Sequence, residues 1–113
     1  MALPTGSGSE ILGNIVGSHT TAATTTILTV PALHIYTILS MSFCRNGGTA
    51  NTISIHARDS ADRTLVYSET LSESTFVWND RLVLMPADSL KLECSATAEV
   101  DFWISYIDQN WED

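Results

Sequence analysis

Leu33-His34-Ile35-Tyr36-Thr37-Ile38-Leu39-Ser40-Met41-Ser42-Phe43-Cys44 is followed two residues later by Asn46-Gly47-Gly48 and then by Thr52-Ile53-Ser54-Ile55-His56-Ala57-Arg58. The last run alternates at every step, with Ile53, Ile55 and Ala57 on one face and Thr52, Ser54, His56 and Arg58 on the other. That is the period of a strand with one buried and one wet face. The first run reads as a longer strand, with Leu33, Ile35, Leu39, Met41 and Phe43 inward and His34, Tyr36, Ile38, Ser40, Ser42 and Cys44 outward. Asn-Gly-Gly tolerates the positive φ of tight turns, so a hairpin is expected between the two strands.

The same pattern continues in both directions. Thr24–Val30 is a strand stopped by Pro31, and Thr64–Thr70, Thr75–Trp78 and Leu82–Met85 are strands set apart by polar turns. Leu90, Leu92, Cys94 and Ala96 alternate against Ser89, Lys91, Glu93 and Ser95. In Glu99–Ile107, Val100, Phe102, Ile104 and Tyr106 oppose Glu99, Asp101, Trp103 and Ser105. About eight short strands without an intervening helix predict an all-β chain, an antiparallel β-sandwich of jelly-roll-like type. Residues 1–23 hold four of the six glycines and read as an extended N-terminal arm, irregular because Gly13 and Gly17 weaken a helical turn after Ser7-x-x-Glu10. The expected organisation is an arm at 1–23, a sandwich at 24–107 and an acidic tail at 108–113.

With 113 residues there is room for one domain. Hydrophobic residues are 44% and charged residues 16%, so a core can form and most polarity is uncharged. The 14 Thr and 13 Ser supply it, and they suit strands and turns. A net charge of −8, with four scattered Arg and one Lys, argues against nucleic acid, whose phosphates need clustered cations. No run approaches the roughly 20 apolar residues of a membrane helix, and the first residues show neither the basic start nor the apolar stretch of a secretory signal. The expectation is a soluble chain made in a reducing compartment. Cys44 and Cys94, the two cysteines, fall by alternation on different faces, outward and inward. That pattern disfavours the inter-sheet disulfide of an immunoglobulin domain.

Chemistry-bearing patterns are sparse. His19, His34 and His56 have no ligand-like spacing, G-x-S-x-G is absent, and Gly6-x-Gly8 lacks the rest of a dinucleotide fingerprint. His56 and Arg58 share an outward face that suits either an anion or plain solvation, and Glu99 with Asp101 is the one paired-carboxylate arrangement available for acid–base work. Neither calls for a catalytic role, and nothing calls for a cofactor. What plain core does not explain is a set of apolar and aromatic residues placed outside it. These are Leu3, Ile11 and Leu12 in the arm, Tyr36 and Ile38 on the outward strand face, Trp103 beside Asp101, and Trp111 within the acidic tail. Large apolar groups among polar ones mark interface anchors, and these seven are the candidate partner-binding residues; for Trp111 the alternative is that it folds back on its own sandwich.

The runs Thr24-Thr25-Thr26-Ile27-Leu28-Thr29-Val30-Pro31-Ala32, Ile38-Leu39-Ser40 and Cys44-Arg45-Asn46, with Leu65-Val66-Tyr67, Leu82-Val83-Leu84, Ala87-Asp88-Ser89-Leu90-Lys91 and Val100-Asp101-Phe102-Trp103-Ile104-Ser105-Tyr106, resemble small β-sandwich structural proteins of tailed-phage virions. The likeness spans roughly residues 24–107 and departs at Pro31-Ala32, where a Gly-containing turn is more usual. It implies a non-enzymatic virion protein made in the host cytoplasm, foremost a capsid decoration or cement protein on the outer head surface. Its partners would be the major capsid protein or another virion protein, together with copies of itself as a dimer or trimer. The alternative it leaves open is a receptor- or carbohydrate-binding module of a tail or fibre.

Overall fold

The computed structural model describes residues 9–20, 23–48, 51–71, 75–95 and 98–111. Their strands are β1 (Ser9–His19), β2 (Thr24–Thr29), β3 (His34–Gly48), β4 (Asn51–Arg58), β5 (Asp62–Leu71), β6 (Thr75–Trp78), β7 (Leu82–Leu84), β8 (Ser89–Cys94) and β9 (Ala98–Asn110). Two antiparallel sheets result. One has the order β1-β9-β3-β6, with β7 also on β3, and the other runs β2-β8-β4-β5. The chain changes sheet after β1, β2, β3, β5, β7 and β8, and the two sheets pack as the antiparallel β-sandwich that the strand pattern predicts.

The core lies between the sheets. Ile38, Met41, Phe43, Val100 and Ile104 from the first meet Leu28, Ile53, Ile55, Leu90 and Leu92 from the second, all essentially without solvent contact. This ordering corrects the expected hairpin. β3 continues through Asn46 to Gly48 on the first sheet, while β4 pairs with β5 and β8 on the second. Both strands supply apolar residues to the one core from opposite sheets, so they are not neighbours in one sheet. Asn46 is absorbed as an irregularity in the β3–β9 ladder between Arg45 and Gly47. Residues 49–50 lie outside the described residues.

A second irregularity in that ladder overturns the face assignment of Tyr36 and Ile38. Ile38 pairs with Tyr106 and Ser40 with Ser105, so Leu39 has no partner of its own and forms a β-bulge. One extra residue shifts the alternation by one. Tyr36 and Ile38 therefore point inward before the bulge, and Met41 and Phe43 point inward after it. On the other side of β3 the bulge faces the break between β6 and β7, and the Arg81 guanidinium donates to the Leu39 carbonyl at 3.1 Å. Tyr36 stacks on Tyr106 with ring centroids 4.5 Å apart, and the His34 imidazole lies 2.8 Å from the Asp108 carboxylate. Burial, then the neighbouring Tyr106 and Asp108, push the Tyr36 phenol up to about 12.

The segment read as an irregular arm is, over residues 9–19, an edge strand paired one for one with β9. Gly13 and Gly17, which argued against regular structure, sit opposite Tyr106 and Phe102. A Cβ at either glycine would come within 3 Å of the facing ring. The aromatic side chains cover the glycine backbone, a known means of stabilising glycine in strands. Residues 108–110, assigned to the tail, continue β9, and the Trp111 backbone N–H donates to the Leu33 carbonyl at 2.9 Å. The glycine-free turn after Pro31 closes because Leu33 takes a left-handed φ of 64°.

The bulge makes a direct prediction. Ile38→Ala should cost about 2–5 kcal/mol in denaturant unfolding, the range for an aliphatic core truncation, while Leu12→Ala on β1 should stay within about 0.5 kcal/mol. Similar small effects for both would return Ile38 to the surface.

Candidate interaction surface

The two outer faces of the sandwich differ in chemistry. On the β2-β8-β4-β5 sheet the outward side chains form a charged lattice. His56 contacts Thr64 Oγ1 and Glu93 Oε1, each at 3.0 Å. Arg58 and Lys91 both reach Asp62, at 3.1 and 3.3 Å. The hydrogen bonds from Arg58 and Lys91 hold the Asp62 carboxyl below its usual range. The His56 and Arg58 pair noted in the sequence is thus engaged by neighbouring side chains of its own face.

The outer face of the β1-β9-β3-β6 sheet carries rows that run across the strands. Val16 lies beside Trp103, Trp103 beside Ser42, and Ser42 beside Val77. A parallel row reads Leu12, Ile107, Thr37 and Val83. Between them stands the uncharged polar row Asn14, Ser105, Ser40. Leu12 is 75% exposed, and Trp103, Val16, Val83 and Val77 are each about half exposed. Carboxylates stay at the ends of the strands: Glu10 accepts from Gln109 Nε2 at 3.0 Å at one end, and Asp101 accepts from Ser18 Oγ at 2.5 Å at the other, while Arg81 sits at the β6/β7 edge. Asp101 is therefore held by Ser18, and Glu99 is exposed nearby. A shallow depression of about 440 Å³ opens on this face beside Leu39, lined also by Leu12, Gly13, Asn14, Ser105 and Tyr106.

Of the residues expected to bind a partner, Leu12 and Trp103 are brought onto this one face. Ile11 is exposed on the same strand but belongs to the inward-pointing set. Tyr36 and Ile38 are core residues. Trp111 is half-buried at the end of β9, and Leu3 lies outside the described residues. Val16, Val77, Val83 and Ile107 were missed. Their signal, an apolar residue on the polar side of an alternating strand, is plain only once each neighbour is known. Cys44 lies on the outer face and Cys94 in the core, both as free thiols.

A second concavity, about 870 Å³, lies at one end of the sandwich between the β2–β3, β4–β5 and β7–β8 connections. It is lined by Ala32, Leu33, Arg58, Ser60, Pro86 and Ala87 among others. Leu33, Ser60 and Ala87 all have positive φ there. Among the described residues, no three His, Cys, Asp or Glu side chains come together as a metal site.

No protein-family model matches the sequence, and no curated protein matches it either. Solved structures do. A subunit of the Bacillus endospore appendages, described as a family of disulfide-linked pili, superposes with a TM-score of 0.54 at 15% identity, over 99% of this chain and 97% of that one. A chain of the cyanophage Pam1 capsid asymmetric unit superposes with a TM-score of 0.51 at 14% identity, over 97% and 92%. What they share is a fold. A pentameric capsid protein from metagenomic phage sequences gives 0.46 at 18% identity, over 86% of this chain and 61% of its own. These structural neighbours are capsid and pilus proteins.

The inner side of the edge strand adds a titratable group. His19, at the end of β1, is buried, and burial holds its imidazole below the usual 6.5. Protonation therefore favours the unfolded chain, so this contribution to stability is intact above about pH 6.5 and is lost as the pH falls below it. Denaturant titrations at pH 7 and pH 5 should show His19→Leu gaining on the unaltered chain at the lower pH. A constant difference between the two proteins would remove His19 from the pH dependence.

Proposed function

We propose that the chain is a non-enzymatic virion structural protein, a capsid decoration protein that attaches to the head shell through the outer face of its β1-β9-β3-β6 sheet. The observation that carries this reading is the contrast between the two faces. One is a lattice of ion pairs suited to water, and the other exposes Leu12, Val16, Val77, Val83 and Trp103 with no charge among them. Several large apolar side chains exposed together on one face of a small domain mark an interaction surface. The likeness in fold to a phage capsid chain supports a virion setting.

Magnitudes bear on how it attaches. Fully burying an aliphatic or aromatic side chain contributes about 1.5–3 kcal/mol, so covering these five, which are half to three-quarters exposed, contributes roughly 4–8 kcal/mol. Association itself costs on the order of 4–15 kcal/mol. A single copy on a single shell subunit would bind weakly, and retention depends on several copies or several contacts acting together. A homo-oligomer spanning joints between shell subunits meets that requirement.

A second reading has its own observation. Trp103 stands half exposed between Val16 and Ser42, with Asn14 and Ser105 in the adjoining row. An aromatic platform ringed by hydroxyl and amide groups also suits a sugar ring, as in a tail or fibre receptor-binding module.

Trp103→Asp combined with Val83→Asp tests both. Neither residue is in the core, so the variant should fold. On purified heads its occupancy should fall at least about tenfold, the effect of losing roughly 1.4 kcal/mol. Unchanged occupancy contradicts attachment through this face, and Trp103-dependent binding on a glycan array would favour the second reading.

A further inference from the structure

We propose that two copies of the chain join edge to edge through β1, antiparallel and in register about Asn14, so that two β1-β9-β3-β6 sheets become one continuous sheet. The inference concerns the chain itself and holds whatever larger assembly it enters.

The first ground is the state of the sheet edges. An exposed strand edge offers unpaired N–H and C=O groups to any other strand, and proteins usually blunt it with bulges, breaks, charges or proline. Three of the four outer edges here are blunted. β2 is short and has a register shift between Thr26 and Leu28. The β6/β7 edge is broken at residues 79–81. β5 carries two register shifts against β4 and the charged residues Asp62, Arg63 and Glu69. β1 has no bulge, break or proline. It pairs with β9 over eleven residues without a shift, contains no proline, lysine or arginine, and bears a single charge, Glu10. No described strand covers its other edge.

The second ground is self-complementarity, which selects the occupant. When β1 meets a second β1 with Asn14 opposite Asn14, residue pairs sum to 28. Leu12 then faces Val16 on the outer side, and Glu10 faces Ser18, so no like charges meet. On the inner side every glycine faces an isoleucine: Gly13 opposes Ile15, and Gly17 opposes Ile11. The rings of Tyr106 and Phe102 already lie over these glycines, so each isoleucine of one copy packs against an aromatic ring of the other. This accounts for Ile11. It belongs to the inward set of β1 yet is 58% exposed in the single chain, and pairing would cover it with the second copy's Phe102. Residues opposite one another keep the same face, so the two apolar outer faces would lie side by side and double the platform.

Charge exchange at the axis is the test, read by sedimentation equilibrium of the full chain. The unaltered chain should sediment at twice its 12.3 kDa mass. Asn14→Lys and Asn14→Glu, exposed substitutions that place like charges directly opposite, should each be monomeric under the same conditions. An equimolar mixture of the two should recover the dimer. An unaltered chain that is monomeric, single variants that remain dimeric, or a mixture that stays monomeric would each overturn the proposal. Because no capsid is present, failure here leaves the attachment experiment on heads independent of it.

Discussion

One unpaired residue in β3 fixes which side chains the molecule hides and which it shows. β3 lies at the middle of its sheet, with β9 along one side and β6 and β7 along the other. Strict alternation would send either Tyr36 and Ile38 or Met41 and Phe43 into water. The bulge at Leu39 lets both pairs enter the core. Its freed carbonyl is taken up by Arg81, at the break in the opposing edge. The interruption between β6 and β7 and the bulge in β3 are therefore two sides of one local arrangement.

The outer face follows from the same shift. With Tyr36, Ile38, Met41 and Phe43 of β3 turned inward, Thr37, Ser40 and Ser42 are left outward beside Ile107, Ser105 and Trp103 of β9. The face carries two rows with apolar residues, a polar row between them, and Arg81 at its β6/β7 edge. Among the described residues, the acids lie on the turns, the opposite sheet and the strand ends. In a protein with so few bases, a surface without acids can approach another subunit without a long-range penalty. The likeness to the endospore-appendage and cyanophage capsid chains is one of fold, and the two outer faces of this chain are furnished unequally.

Much of the fold was legible in the sequence because most strands alternate cleanly. β4, β8 and β9 have the inward and outward faces that their period predicts, and Trp103 was placed outward by that rule alone. Three features were not legible, each for a physical reason. A bulge leaves no mark in the composition, since Leu39 is an ordinary strand residue, and its effect on Tyr36 and Ile38 depends on the partner strand. Asn46-Gly47-Gly48 carries a strong local turn preference, but the burial of β3 against β4 placed those strands in different sheets. Gly13 and Gly17 lowered the intrinsic strand preference of β1, and the compensating rings of Phe102 and Tyr106 come from the far end of the chain. The interaction surface was half legible for the same reason: Leu12 and Trp103 were recognisable singly, while Val16, Val77 and Val83 join them only through register.

Deletion of Leu39 tests the central claim directly, with urea unfolding and near-ultraviolet circular dichroism as the readouts. Removing the bulged residue restores uninterrupted alternation along β3, and one of the two inward pairs must then face water. The expected result is loss of cooperative unfolding and of the aromatic signal, while Leu39→Ser, which keeps the residue count, remains folded. A deletion variant that unfolds cooperatively with the stability of the unaltered chain would contradict the claim that the bulge sorts the core from the surface.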